Sequence, residues 1–179
     1  MKRILNDYEI SFFGLKDGKH RFEYKIDKQF FEPFNYDEFL EANLLVKLEL
    51  IKKSTFMEFY FSVEGTSKVA CDVTNEPFDL PVNGSLKMIV KFGEIFNDDN
   101  EEILIIPHKE NQINVAQFMY EMIILAVPSK KVHPGVEDGT LQSEVLKKLE
   151  ELQPKENKKL NEIDPRWDGL KKLLTDKNT

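Results

Sequence analysis

One cysteine, three histidines and thirty-two carboxylates are the residues of this 179-residue chain that could hold a metal, attack a carbonyl or move a proton. Each of those tasks needs partners at set intervals. His20, His108 and His133 lie far apart, none at a recognisable ligand or triad spacing, and they read as ordinary surface or loop residues. The Asp and Glu side chains are plentiful but scattered, so no acid and base pair stands out. Gly14, Gly18 and Gly65 are isolated turn or bulge residues, and no glycine-rich phosphate loop is present. Nothing here points to catalysis, and the chain is expected not to be an enzyme.

Cys71 alternates with Val69 and Val73, the pattern of a small core hydrophobe in a strand. A reactive thiol would want a basic or histidine neighbour, and the local sequence supplies none. A lone cysteine excludes an internal disulfide, and with it any zinc site of four cysteines, or of two cysteines and two histidines, built by this chain alone. No metal or cofactor is expected, and a reducing cytoplasm fits.

Composition narrows the partners. Hydrophobic residues are 41% and charged residues 32%, too apolar for a chain disordered throughout and too charged for a membrane protein. No stretch approaches 18 uncharged apolar residues, and MKRILNDYEI turns polar before a signal-peptide core could form. The net charge of −7 opposes nonspecific binding to DNA or any other phosphate backbone. From Glu144 onward nine Lys/Arg face eight Asp/Glu, so the first 143 residues carry the acid and the tail is slightly basic. An acidic body suits a basic protein partner. Phe56, Phe59 and Phe61 resemble in spacing the stacking platform of RNA-binding sheets, but without a basic surround they are read as core.

The elements that would position these residues divide near Pro128. All fourteen Phe and all five Tyr lie at or before Tyr120, leaving Trp167 as the only aromatic beyond. The expected organisation is a β-rich domain with one packed helix over 1–128, then a helical, partly flexible tail over 129–179. Leu44, Val46, Leu48 and Leu50 share one face of a strand, and Met57, Phe59, Phe61 and Val63 one face of the next, with a turn over Lys52–Thr55. KVACDV and EILIIP read as further strands. Asp17-Gly18 and Asn83-Gly84 are dipeptides that favour tight hairpin turns. The fold class expected is α+β, a mainly antiparallel sheet, either open or curled into a partly closed barrel. INVAQFMYEMIILAVP (113–128) shifts to helical period, with Asn114 as a cap and Val115, Phe118, Met122 and Leu125 as its stripe. Leu141, Val145, Leu149 and Leu152 form the stripe of a second helix over 140–152, and 153–162 reads as a linker.

Beyond the linker, a helix is expected over 164–175. Asp164 suits an N-cap and Pro165 the first helical position. Trp167, Leu170 and Leu174 recur as one apolar stripe, while Arg166, Lys171 and Lys172 supply a basic flank. Two readings stay open: this short helix packs on its own domain, or it docks on a partner, for which Trp and Arg are favoured anchors.

Three segments carry a resemblance to a known family: VEGTSKVACDVTNEPFDLPVNG (63–84), INVAQFMYEMIILAVP (113–128) and IDPRWDGLKKLL (163–174). In order and spacing they resemble the YceD-like family of bacterial and plastid proteins, linked to accumulation of the large-subunit ribosomal RNA. Many members have Cys-x-Arg-Cys where this chain has Cys71-Asp72-Val73-Thr74, and some carry a later cysteine cluster that is absent here. The resemblance implies a non-enzymatic cytoplasmic factor that supports 23S rRNA accumulation and large-subunit assembly. Because family genes often neighbour that of a small zinc-ribbon ribosomal protein, it also implies a large-subunit precursor, a ribosomal protein or 23S rRNA as partner. Asp164, Pro165, Arg166, Trp167, Leu170, Lys171 and Lys172 are the candidate contact residues, and Cys71, Asp72 and Thr74 a motif of structural use. The rival reading is a small-molecule-binding antiparallel β-barrel or an unrecognised enzyme.

Overall fold

A computed structural model describes residues 6–100 and 102–153. The chain divides into two compact units, Met1–Gln142 and Ser143–Thr179.

The first unit is built on two long strands. β1 (Glu9–Ser11), β2 (Gly18–Ile26), β3 (Glu41–Lys52), β4 (Phe56–Ala70), β5 (Pro77–Gly93), β6 (Asn97–Asn100), β7 (Ile103–Pro107) and β8 (Gln112–Asn114) form two sheets. Six strands lie in the order β2-β3-β4-β5-β7-β6, and β1 pairs separately with β8. Among the described residues β2 and β6 are the two edges of the large sheet, which is not closed into a barrel, so that option falls away. Its ladders are antiparallel except β5 with β7. After β5 the chain runs out to the edge as β6 and returns as β7 between them. That return makes one parallel pair without a helical crossover.

Alternation builds the core. Leu44, Val46, Leu48 and Leu50 of β3 are buried, as are Met57, Phe59, Phe61 and Val63 of β4, and β3 joins β4 through the expected turn after Lys52. Phe59 and Phe61 stack on each other inside this core, which removes them as a base-stacking platform. The opposite face carries ion pairs between neighbouring strands, among them Lys19–Glu49 and Lys68–Glu41.

A 3₁₀ helix, Lys28–Phe34, and the helix α1, Ala116–Ala126, complete the core. Asp27 caps the former through the Gln29 N–H. Phe30 and Phe31 are fully buried, and Phe34 stacks on Tyr120 of α1 with centroids 4.2 Å apart. The β1–β8 ribbon holds the start of α1, with Val115 N donating to Tyr8 O. The N-cap position is Val115 rather than the expected Asn114, which closes β8 and whose Oδ1 accepts from Ala116 N.

Three expectations need correction. Asn83-Gly84 is no turn: β5 runs straight through it, with Glu64 opposite Asn83 and Val63 opposite Gly84. Glycine is needed there because a Cβ would lie 2.8 Å from the Ala126 Cβ, where α1 presses on the sheet. Asp17-Gly18 does not join a hairpin either, since β1 pairs with β8 and not with β2. On α1, the buried residues are Ala116, Met119, Met122 and Ile123, whereas Leu125 is 84% exposed. The helix is apolar on most sides, so its period could not select the covered side.

After α1 the chain makes one helical turn, α2 (Pro134–Glu137). In the second unit, α3 (Glu144–Leu152) begins at Ser143, whose Oγ accepts from Val145 N. The helix expected over 140–152 thus starts four residues late; Leu141 belongs to the loop before it and donates to Gly135 O.

Gly65 lies within β4 at φ +149°, where a Cβ would sit 2.3 Å from Asn43 O of β3. Gly65→Ala should cost about 2–3 kcal/mol, whereas Gly14→Ala, with nothing within 4 Å, should stay within about 0.5 kcal/mol. Urea unfolding at unchanged slope checks both.

Candidate functional site

Cys71, Asp72 and Thr74 fall in the loop that turns β4 into β5. Ala70 pairs with Pro77, and the six residues between them close on themselves. Cys71 N donates to Glu76 O at 2.9 Å, and Asn75 N donates to Cys71 O at 2.8 Å. Asn75 takes the left-handed conformation at φ 60°, which asparagine tolerates better than most residues. Glu76 N reaches the Thr74 hydroxyl at 3.4 Å. Cys71 is therefore buried as expected, but just beyond the strand rather than within it.

The segment following α1 lies across this loop. Asp72 N donates to Lys131 O at 2.8 Å, and Lys131 N returns the bond to Asp72 Oδ2 at 2.7 Å. The Lys131 ammonium pairs with Glu38 at 2.5 Å. Two residues on, His133 N donates to Cys71 Sγ at 3.3 Å, and the His133 ring meets Phe78 edge-on. Its Nδ1 accepts from Gly135 N at 2.9 Å, capping α2. Glu38, Lys131 and His133 were not legible as members of this site: they stand at least 33 residues from Cys71 in sequence, and no periodicity links a hairpin loop to a strap.

Burial would push the Cys71 thiol up. Hydrogen bonds from the Thr74 hydroxyl and from the backbone N–H groups of His133, Thr74 and Val73 outweigh it and hold the thiol below its usual 9.0. Even so, the site offers a metal little. It has one thiol, a threonine hydroxyl in the second position, and a histidine whose Nδ1 lone pair is already engaged. Among the described residues no three His, Cys, Asp or Glu side chains gather as a metal would require. This donor set does not fit zinc; hydrogen bonds join the strap to the hairpin instead.

His20 and His108 sit apart from this loop, His20 bonding to Lys16 O and His108 lying over Phe92. The candidate contact residues Asp164, Pro165, Arg166, Trp167, Leu170, Lys171 and Lys172 lie outside the described residues. Among the described residues no helix is long and apolar enough to cross a membrane.

Fold and site together define an α+β protein with an open, mostly antiparallel sheet and a hydrogen-bonded hairpin loop at the family motif. A family model described as large ribosomal RNA subunit accumulation protein YceD matches residues 59–174, and the chain belongs to that family. Neither the curated proteins nor the solved structures contain a match. The matched span opens inside β4, takes in the Cys71 loop and α1, and ends at Leu174. The family is described by an RNA that accumulates, not by a reaction.

Two outcomes follow from the loop. Elemental analysis of the purified protein should find no stoichiometric zinc, and a chelator should leave the melting temperature unchanged. Because the folded thiol titrates below 9.0, its preference for thiolate contributes stability above that pH, and the contribution fades as pH falls through the folded value. Thr74→Val removes a donor to the sulfur. Thiolate ultraviolet absorbance should then appear at higher pH than in the wild type, and the stability gap between the two should widen from neutral to alkaline pH.

Proposed function

We propose that this protein supports accumulation of 23S rRNA and assembly of the large ribosomal subunit in the cytoplasm, by binding and without catalysing a reaction. The observation that carries this reading is the family match across 59–174, which joins the Cys71 hairpin and the DPRW segment in one unit of common descent. The charge distribution supports a division of labour. The acidic body engages a basic ribosomal protein, while the slightly basic tail beyond the linker at 153–162 reaches rRNA phosphates or an acidic neighbour.

In this reading residues 164–175 are the docking element. Trp167 and Leu170 are its apolar anchors, Asp164 and Pro165 set its start, and Arg166, Lys171 and Lys172 supply the charge. Cys71, Asp72 and Thr74 act indirectly, by holding the strap that leads towards the tail.

Sedimentation of tagged protein through a sucrose gradient tests this directly, the expected outcome being co-migration with precursor large subunits. Trp167→Ala with Leu170→Ala should abolish that co-migration at an almost unchanged melting temperature. Were the helix part of a core, losing a buried Trp would cost about 3–5 kcal/mol and lower the melting temperature by many degrees. Arg166→Glu with Lys171→Glu should weaken association, and added salt should weaken it in the wild type. A double mutant that is markedly destabilised, or that still co-migrates, defeats the docking role.

A further inference from the structure

The helix stripe visible in the sequence, Phe118, Met122 and Leu125, does not face the core alone: it lines one wall of a groove of about 880 Å³ between α1 and the far end of the large sheet. Met88 of β5 and Leu104 and Ile106 of β7 form the floor, each no more than 5% exposed. Two large lining side chains stand in water, Leu125 of α1 at 84% and Phe96, just before β6, at 54% exposure. An apolar trough with exposed aromatic and aliphatic lips is unusual for a surface with no partner.

Charge selects the occupant. Asp98, Glu110 and Glu121 stand among the lining residues, and among the described residues no Lys or Arg does. The edge strand beside it, Asn97–Asn100, adds Asp99 and no cation. By contrast, several carboxylates on the outer face of β2–β4 pair with lysines or arginine, as in Lys19–Glu49, Arg21–Glu49 and Lys47–Glu64. Among the groove's lining residues no such match is present. An RNA would bring its phosphates against these carboxylates, whereas a cationic peptide would meet them favourably.

We propose that this groove is the docking site for a segment of a basic protein that presents bulky apolar side chains flanked by Lys or Arg. The apolar anchors fill the trough over Met88, Leu104 and Ile106, and the flanking cations face Asp98, Glu110 and Glu121. This deepens the reading of a ribosomal-protein partner and rests on it, by naming the surface and the chemistry that surface accepts.

The test uses the full chain and a fluorescent synthetic peptide with Leu and Trp anchors at helical spacing among Lys and Arg, beside a charge-matched peptide with Ser at the anchors. Leu125→Glu, at a solvent-facing position, should weaken binding of the anchored peptide at least about tenfold without changing the melting temperature. Glu110→Lys with Glu121→Lys should also weaken it and flatten its salt dependence. Equal binding of the Ser peptide, or full binding by Leu125→Glu, overturns the proposal. Three further outcomes do so by naming another occupant: tighter peptide binding by the Trp167→Ala/Leu170→Ala chain (its own tail), a dimer that Leu125→Glu converts to monomer (a second copy), or displacement of the peptide by a single-stranded RNA oligonucleotide. Gradient sedimentation separates the two readings. If wild type co-migrates with precursors and Leu125→Glu does so equally, the groove proposal fails alone; if wild type never co-migrates, the ribosomal reading fails while the peptide result still measures the groove.

Discussion

One face of the large sheet is apolar along nearly its whole length and must be kept from water. Burial of such a face is the main favourable contribution to folding, and the rest of the first unit can be understood as what covers it. The 3₁₀ helix brings Phe30 and Phe31 onto the end near Leu44, and α1 comes close enough to the middle that only glycine fits at position 84. Phe34 stacked on Tyr120 locks the two covering pieces together. A helix of eleven residues is about 16 Å long, shorter than β5 beneath it. A groove remains beside α1, floored by Met88, Leu104 and Ile106.

The other face of the sheet illustrates a different physical regime. Its cross-strand ion pairs are largely exposed, so each contributes little to stability. What they do is neutralise that face. The groove lining, by contrast, holds Asp98, Glu110 and Glu121 and no Lys or Arg, so charge differs from one part of the surface to another once the strands are in register.

At the Cys71 hairpin, hydrogen bonds join the strap to the loop. Asp72 exchanges two backbone-directed bonds with Lys131, Lys131 pairs with Glu38, and the thiol accepts from His133 N. A metal site brings its own large binding free energy, whereas a few hydrogen bonds contribute about 1 kcal/mol each. The strap is thus attached more gently, through contacts that depend on the hairpin keeping its shape.

By itself, the sequence determined whatever depends on local period and composition. Alternation at 44–63 established two strands, their buried faces and the turn between them, because side chains in a strand alternate whatever the surroundings. The change of period at 113–128 established a helix, and the ordered segments around Cys71, α1 and the DPRW stretch carried the family. Only the tertiary structure decided what depends on a partner distant in sequence. Asn83-Gly84 has the chemistry of a turn, but pairing with β4 on one side and the pressure of α1 on the other hold it extended. β1 leaves its neighbour in sequence for β8, 103 residues from Glu9 to Gln112, because the ribbon must hold the start of α1. Which side of α1 would be covered was undecided by its residues, since Phe118, Met122, Ile123 and Leu125 are all apolar. The sheet beneath buried Met119 and Ile123 and left Phe118 and Leu125 to the groove, with Met122 between them, a choice made by packing geometry rather than by hydrophobicity.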